Sequence, residues 1–429
     1  MSVAPATVDL LPRLLNGVGE RAMVALDEHV AVHGPLPDLR QLAPEQLIET
    51  VESAGLRGHG GASFPVARKM RAVASRRATA VVVANGAEGE PASKKDRVLL
   101  RETPHLVLDG AAVAARAVGA REAIITVASD DDRGLRSVSM ALRQRRDARL
   151  RTDPKFELVD IEPSYLAGQE SALVAALNGG PARPTFGPRP FERGVRRRPT
   201  LVQNVETLAH VGLIARHGAA WFRELGTPED PGSALATVSG AVASPGVYEI
   251  DHGMPLAELL DSARVRERLV AVLVGGYFGT WLAADAVSEV RLASESLTAY
   301  GATFGAGVIV ALGPEACPVA ETSAIAEFFA AESAGQCGPC VNGLDAIAGT
   351  VCQLATGTAA ATGLRDLDRW TRDLHRRGVC QHPDGAVRFI ASALRTFEPE
   401  FRDHARRGPC ERCAGSAVLA APIRERRRG

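Results

Sequence analysis

The chain has 429 residues, long enough for about two to four domains that each bury a core. Its 50 basic and 50 acidic residues cancel, so no global field draws it to nucleic acid or to an anionic membrane surface. The seven cysteines are odd in number and all lie beyond residue 316, which does not suit a secretory disulfide framework.

The N-terminus, "MSVAPATVDLLPR", has neither a basic n-region nor an apolar h-region, so no signal peptide is expected. The uncharged stretch 346–364 is rich in Gly and Thr and too weakly apolar to span a bilayer. A soluble cytoplasmic protein without direct membrane insertion is the expectation.

From residue 44 to about 215 helix and strand patterns alternate. "PEQLIETVESAG" (44–55) starts on Pro44 and stops at Gly55, as a helix does. The apolar, β-branched run 78–86 reads as a buried strand, 104–120 as a helix, and 122–129 as a second strand. A helix over 133–149 and a third strand over 156–163 follow. Strands separated by helices of this length predict βαβ units and a mostly parallel sheet. The Pro- and Gly-rich segment 179–200 reads as an ordered, irregular loop. Near residue 233 the pattern changes to a hairpin turning at Pro245–Gly246, then a short helix and a strand, a small α+β module. From about 318 to 406 the pattern is helical.

Glycine clusters mark the candidate chemistry. "GLRGHGGASFP" (55–65) places Gly58, Gly60 and Gly61 before a helix that Pro65 can start, a backbone able to approach a phosphate. It is not a dinucleotide fingerprint, because Ser63 stands at the third glycine and the loop follows a helix. A plain glycine loop is the alternative. "ANGAEGEPASKKDR" (84–97) follows the first strand, where α/β sheets bind ligands, and offers Asn85, Glu88 and Glu90; a charged turn is its bland reading. "YLAGQES" (165–171) and "LVQNVETL" (201–208) again put polar groups at element ends. Cys337 and Cys340 form a C-x2-C pair, and Cys410 and Cys413 a second in a basic tail. Cys317 and Cys352, isolated in apolar surroundings, read as small core residues.

Taken in order, "GLRGHGGASFP", "NGAEGEP" with "KKDR", "YLAGQESAL", "VQNVETLAHVG", "SGAVASPGVYE" and "ESAGQCGPCVNG" make the chain resemble the NADH-binding, flavin-carrying subunit of respiratory complex I and of NAD-linked hydrogenases and formate dehydrogenases. The resemblance runs from about residue 44 to about 400. It implies an α/β fold: an FMN-binding domain with a mostly parallel sheet (44–232, after an extension at 1–43), an SLBB-like β-grasp module (233–290), a helical iron–sulfur domain (291–406) and a basic tail (407–429). It also implies roles. The FMN phosphate would lie on Gly58, Gly60 and Gly61, helped by Asn204 and Thr207. The flavin ring edge would face Asn85, Glu88, Tyr165 and Gly168. NADH would stack on Phe64, with Lys69 near its phosphates and Glu90 and Glu170 near the ribose and nicotinamide. Hydride would pass to the flavin and single electrons onward to a cluster and a ferredoxin-like or other iron–sulfur partner subunit.

Departures accompany the match. Ala87 stands at a family aspartate, His59 and Ser63 at a phosphate-loop arginine and glycine, Gln169 at a glutamate, and Ala72 at a second aromatic. The family cluster pattern E-S-C-G-x-C-x-P-C is met at Cys337, Cys340 and, some forty residues on, Cys380, but Ala334 replaces one ligand. Three thiolates can hold a 3Fe–4S cluster, or a 4Fe–4S cluster with another group on the fourth iron. Cys410 or Cys413 folding back to replace the missing thiolate is one expectation, and an empty site another. For the whole chain the alternatives are a non-catalytic assembly subunit and a flavoprotein that uses ferredoxin without NADH.

Overall fold

The structure, a computed structural model, describes residues 11–19, 23–360, 362–415 and 417–419. The first ten residues of the extension and the tail beyond Leu419 lie outside the described residues. The helix expected from residue 44 spans Pro44–Ala54, with Pro44 in its first turn and Gly55 ending it in the left-handed region at φ 74°.

Four strands form the first sheet: β1 (Val81–Gly86), β2 (Glu122–Ala128), β3 (Lys155–Ile161) and β4 (Thr200–Asn204). Their order is β3-β2-β1-β4 and every pairing is parallel. Alternation along β1 explains the double burial. Val82 and Ala84 face one core with the helices Pro104–Val118 and Val205–Phe222. Val81 and Val83 face a second core with Leu173 and Val174 of the helix Glu170–Leu177. The two long helices cross at Gly110, where a Cβ would lie 1.6 Å from the Leu208 carbonyl oxygen, so glycine sets their close approach.

β4 begins where the expected irregular loop 179–200 ends and is not among the expected strands. Its five residues, Thr-Leu-Val-Gln-Asn, are too short and polar to register as a strand, yet they pair with β1 from Val81↔Thr200 to Asn85↔Asn204. The chain builds outward from β1 through β2 to β3, then returns to the other side of β1. The strand order therefore reverses between β1 and β4, the position at which open α/β sheets carry ligands.

A second sheet comprises β5 (Ser233–Gly240), β6 (Gly246–Asp251), β7 (Ala271–Val274), β8 (Thr280–Ala283) and β9 (Val308–Leu312), in the order β6-β5-β9-β7-β8. The expected hairpin is β5–β6, but the central strand β9 comes from beyond residue 290 and runs parallel to β5. One face of this sheet packs on the helix Leu256–Ser262. Leu273, Val308 and Val310 on the other face pack against Ile325, Phe328, Phe329 and Phe389 of the C-terminal helices. Those helices are Pro318–Ala331, Asp345–Thr356, Gly363–Leu374, His382–Thr396 and Glu398–Arg407, with a wider π-helical turn at Pro339–Leu344. Among the described residues no helix is long and apolar enough to cross a membrane.

Candidate flavin and iron–sulfur sites

The reversal point brings three sequence-distant segments together. Asn85 and Asn204 are register partners at the carboxyl ends of β1 and β4. Asn204 caps the helix Val205–Phe222, its side-chain oxygen accepting from the Glu206 amide at 2.9 Å, while its NH2 donates to Asp96. Above them lies the glycine loop. The His59 amide donates to the Thr207 hydroxyl at 2.9 Å, and a Cβ on Gly60 would stand 3.5 Å from Asn204 Cβ. Gly58 donates to the Phe64 carbonyl and closes the loop on itself. Gly61 has φ 95°, a conformation that favours glycine. Neither the Gly60 nor the Gly61 amide donates to a protein acceptor among the described residues. Free backbone donors beside a helix N-terminus are the chemistry a phosphate needs, and the fit to an FMN phosphate rests on them.

Beneath this loop lies a buried ionic group that sequence reasoning does not find. Lys95 Nζ contacts Glu206 at 2.6 Å and Asp96 at 2.9 Å, and His59 Nδ1 lies 3.1 Å from the other Glu206 oxygen. Glu206 also accepts the Leu235 amide of β5, tying the two sheets together. Burial opposes its charge, but Lys95 and His59 hold the carboxyl below the usual carboxylate range. His210 packs on His59 with ring centroids 4.9 Å apart, and burial keeps it neutral. Only the "KKDR" and "NVET" motifs hint at this group.

The expected ring-edge residues lie along the segments 85–90 and 164–168. Asn85 donates to the Gly168 carbonyl at 2.8 Å, joining the two. Glu88 is turned away from that junction: its carboxylate accepts from Ser93 Oγ, Asp96 N and Arg97 N at the start of the helix Lys95–Glu102, and its side chain is only 2% exposed. Glu90 accepts the Tyr277 amide at 3.0 Å and lies 3.4 Å from the Tyr165 hydroxyl. Burial pushes its carboxyl up to about 7. Glu170 pairs with Lys69 at 3.0 Å, and Lys69 also donates to the Val202 carbonyl near the end of β4. Phe64 is 47% exposed, with the Arg68 guanidinium 5.4 Å from its ring centroid. Gln169 spends its side-chain oxygen on the Ala172 amide as a helix cap.

Tyr165 leads toward the C-terminal helices. Its amide donates to Glu332, and its ring meets Phe278 and Phe328 edge-on at 4.8 and 5.3 Å. His382 lies 5.8 Å from the same ring and 5.6 Å from Phe278. Two residues before it stands Cys380, in the turn that opens the helix His382–Thr396. Cys340 lies in the π-helical turn, buried in the core of the C-terminal helices, with Cys337 partly buried against the same core. Burial first, then Cys337 and Cys380, pushes the Cys340 thiol up to about 12. Burial likewise raises the Cys380 thiol, although the His382 backbone at the helix start opposes it. A cationic iron centre would offset that penalty on the Cys340 thiolate, and three cysteines are a donor set such a centre can use. Ala334 is buried at 8% exposure.

Cys410 and Cys413 group elsewhere than with Cys337, Cys340 and Cys380. They lie with Cys317 and His404, so Cys317 is buried in the core as expected but is not isolated from other cysteines.

Residues 51–213 match the Nuo51 FMN-binding domain, 235–264 the SLBB domain, and 320–404 the iron–sulfur binding region of NADH-ubiquinone oxidoreductase-F. The chain is 31% identical over 386 residues to the second F-type subunit of the NADH-quinone oxidoreductase of Rhizobium meliloti, covering 87% of this chain and 91% of that protein. It is 29% identical over 374 residues to the mitochondrial NADH dehydrogenase (ubiquinone) flavoprotein 1 of Dictyostelium discoideum, covering 83% and 78%. A crystal structure of an NAD+-reducing NiFe-hydrogenase in its H2-reduced state superposes with a TM-score of 0.80 at 33% identity. That match covers 86% of this chain but only 64% of the hydrogenase chain. The chain belongs to the family of F-type subunits of NADH-quinone oxidoreductase.

Proposed function

We propose that the chain is a cytoplasmic, FMN-dependent electron relay that oxidises NADH and passes electrons through a cluster at Cys337, Cys340 and Cys380 to an iron–sulfur partner protein. The observation that carries this reading is the strand-order reversal between β1 and β4, roofed by the open Gly60 and Gly61 amides. Bound FMN would supply the conversion of a hydride's electron pair into single electrons.

The chain's own groups do the positioning. Gly58, Gly60 and Gly61 offer the loop backbone to the phosphate, with Asn204 and Thr207 fixing the loop. Asn85 holds the Gly168 segment beside which a flavin ring edge would lie, and Tyr165, in the same segment, is packed on Phe278. Lys69, steadied by Glu170 and the Val202 carbonyl, presents a positive charge for dinucleotide phosphates, and exposed Phe64 offers a stacking face. Glu90 stands against the Tyr277 amide with a carboxyl poised near neutrality, suited to a ribose or carboxamide contact.

Anaerobic mixing of the purified, FMN-loaded protein with NADH tests the reading, with bleaching of the flavin absorbance expected. Flavin that binds but stays oxidised would favour a ferredoxin-fed flavoprotein. Failure to retain FMN at all would favour a non-catalytic assembly subunit.

A further inference from the structure

We propose that Cys317, His404, Cys410 and Cys413 form a tetrahedral site for one zinc ion, separate from the group at Cys337, Cys340 and Cys380. The four ligand atoms all lie within 4.8 Å of one another. Cys317 Sγ is 3.3 Å from Cys413 Sγ and 3.6 Å from His404 Nε2; Cys413 Sγ is 3.8 Å from Cys410 Sγ and 4.0 Å from His404 Nε2. Zinc bonded tetrahedrally at about 2.3 Å to sulfur and about 2.0 Å to nitrogen sets S–S edges of about 3.8 Å and S–N edges of about 3.5 Å. The observed edges scatter around those values. An iron–sulfur cluster would place its ligands on separate metals and spread them further. Three thiolates with one imidazole are a soft set that selects zinc over magnesium, calcium or manganese.

The imidazole is already oriented. His404 Nδ1 lies 3.2 Å from the Leu354 carbonyl, which fixes the proton there and leaves the Nε2 lone pair facing the sulfurs. Chain geometry serves the same end. Gly408, with φ 83°, stops the helix Glu398–Arg407 just past His404, and Cys410 and Cys413 then sit in one tight turn closed by the Cys413 amide on the Cys410 carbonyl. Arg412 between them donates to the Pro314 and Ala316 carbonyls and draws the turn onto Cys317. Binding moves no electrons: Zn2+ enters and the three thiol protons leave to solvent.

The ion would staple the start of the helix Pro318–Ala331 to the end of Glu398–Arg407. Beyond the turn, the Val418 and Leu419 amides donate to Glu321 at 2.7 and 2.9 Å, and the Tyr277 hydroxyl donates to the Leu419 carbonyl. Tyr277 is the residue whose amide holds Glu90.

The test is metal analysis of the full chain, purified without chelator from zinc-supplied cells, with zinc K-edge absorption on the same sample. One zinc per chain is expected, with three sulfurs at about 2.3 Å and one nitrogen at about 2.0 Å. Cys413→Ser should lower zinc at least tenfold and leave iron unchanged, whereas Cys337→Ser should lower iron and keep zinc. A zinc-free protein, iron in place of zinc, zinc retained by Cys413→Ser, or an oxygen-rich shell would each overturn the proposal. Should Cys413→Ser fail to fold, the absorption spectrum of the unaltered protein decides alone.

Discussion

Glu90 lies between the Tyr277 amide and the Tyr165 hydroxyl, and burial raises its carboxyl from an ordinary 4.5 to about 7. Between those values the folded chain keeps a proton that the unfolded chain has released. The stabilising contribution is therefore complete below about 4.5 and is lost as pH rises through about 7. Glu90→Gln mimics the protonated form, so its melting temperature should vary less than wild type between about pH 5 and pH 8. Parallel melting curves across that range would show that Glu90 does not titrate there. Gly61 poses a backbone question. At φ 95° a β-branched side chain is strained by about 1–3 kcal/mol, so Gly61→Val should weaken FMN binding roughly five- to hundredfold in a flavin titration. Ala334→Cys would restore the family's fourth thiolate, and iron per chain after anaerobic reconstitution should rise. Iron unchanged by this substitution would argue against a cluster with an open coordination position at Ala334.

The crossing of Pro104–Val118 over Val205–Phe222 depends on a single missing methyl. Gly110→Ala would force its Cβ into the Leu208 carbonyl, and such overpacking costs typically about 1–3 kcal/mol. Urea unfolding should register that loss, and FMN affinity should fall with it, because the second helix carries Asn204 and Thr207 at its start. How much of this is legible in the sequence follows from the kind of signal each element leaves. β1, β2 and the helix Pro104–Val118 announce themselves through apolar runs, and β3 through apolar residues interleaved with charged ones. β4 does not, because Gln203 and Asn204 interrupt a five-residue strand whose identity comes from pairing with β1. β9 is apolar, but it enters its sheet after a long excursion that no local pattern records. The phosphate loop is visible as a glycine cluster, while the ionic group of Lys95, Asp96, Glu206 and His59 joins residues with no fixed spacing. The same holds for Cys317, which reads alone as core, and for His404, which no motif marks. Both C-x2-C pairs stand out in the sequence, but where the second one points is a matter of tertiary packing.

Across the whole chain, Tyr165 is, among the described residues, an aromatic link from the flavin domain to the second sheet at Phe278 and to the C-terminal helices at Phe328 and His382. Tyr165→Ala would leave a cavity at that junction and cost about 3 kcal/mol, the lower end for losing a packed aromatic. Chemical unfolding followed by flavin fluorescence and by far-UV circular dichroism should then give two separated transitions where wild type gives one. Coincident transitions in the variant would mean that other contacts couple the two halves. The reversal between β1 and β4 has a kinetic side. β1 pairs with β2 across some forty positions of chain, but Asn85 meets Asn204 across more than a hundred. Closing the longer loop forfeits more chain entropy before any contact rewards it, so β4 is the strand expected to join last. A cofactor bridging that seam recognises only the finished arrangement and holds it shut by mass action. Refolding with FMN present should therefore slow unfolding more than it speeds folding, and the newly made chain would pass through a three-stranded stage with an exposed β1 edge.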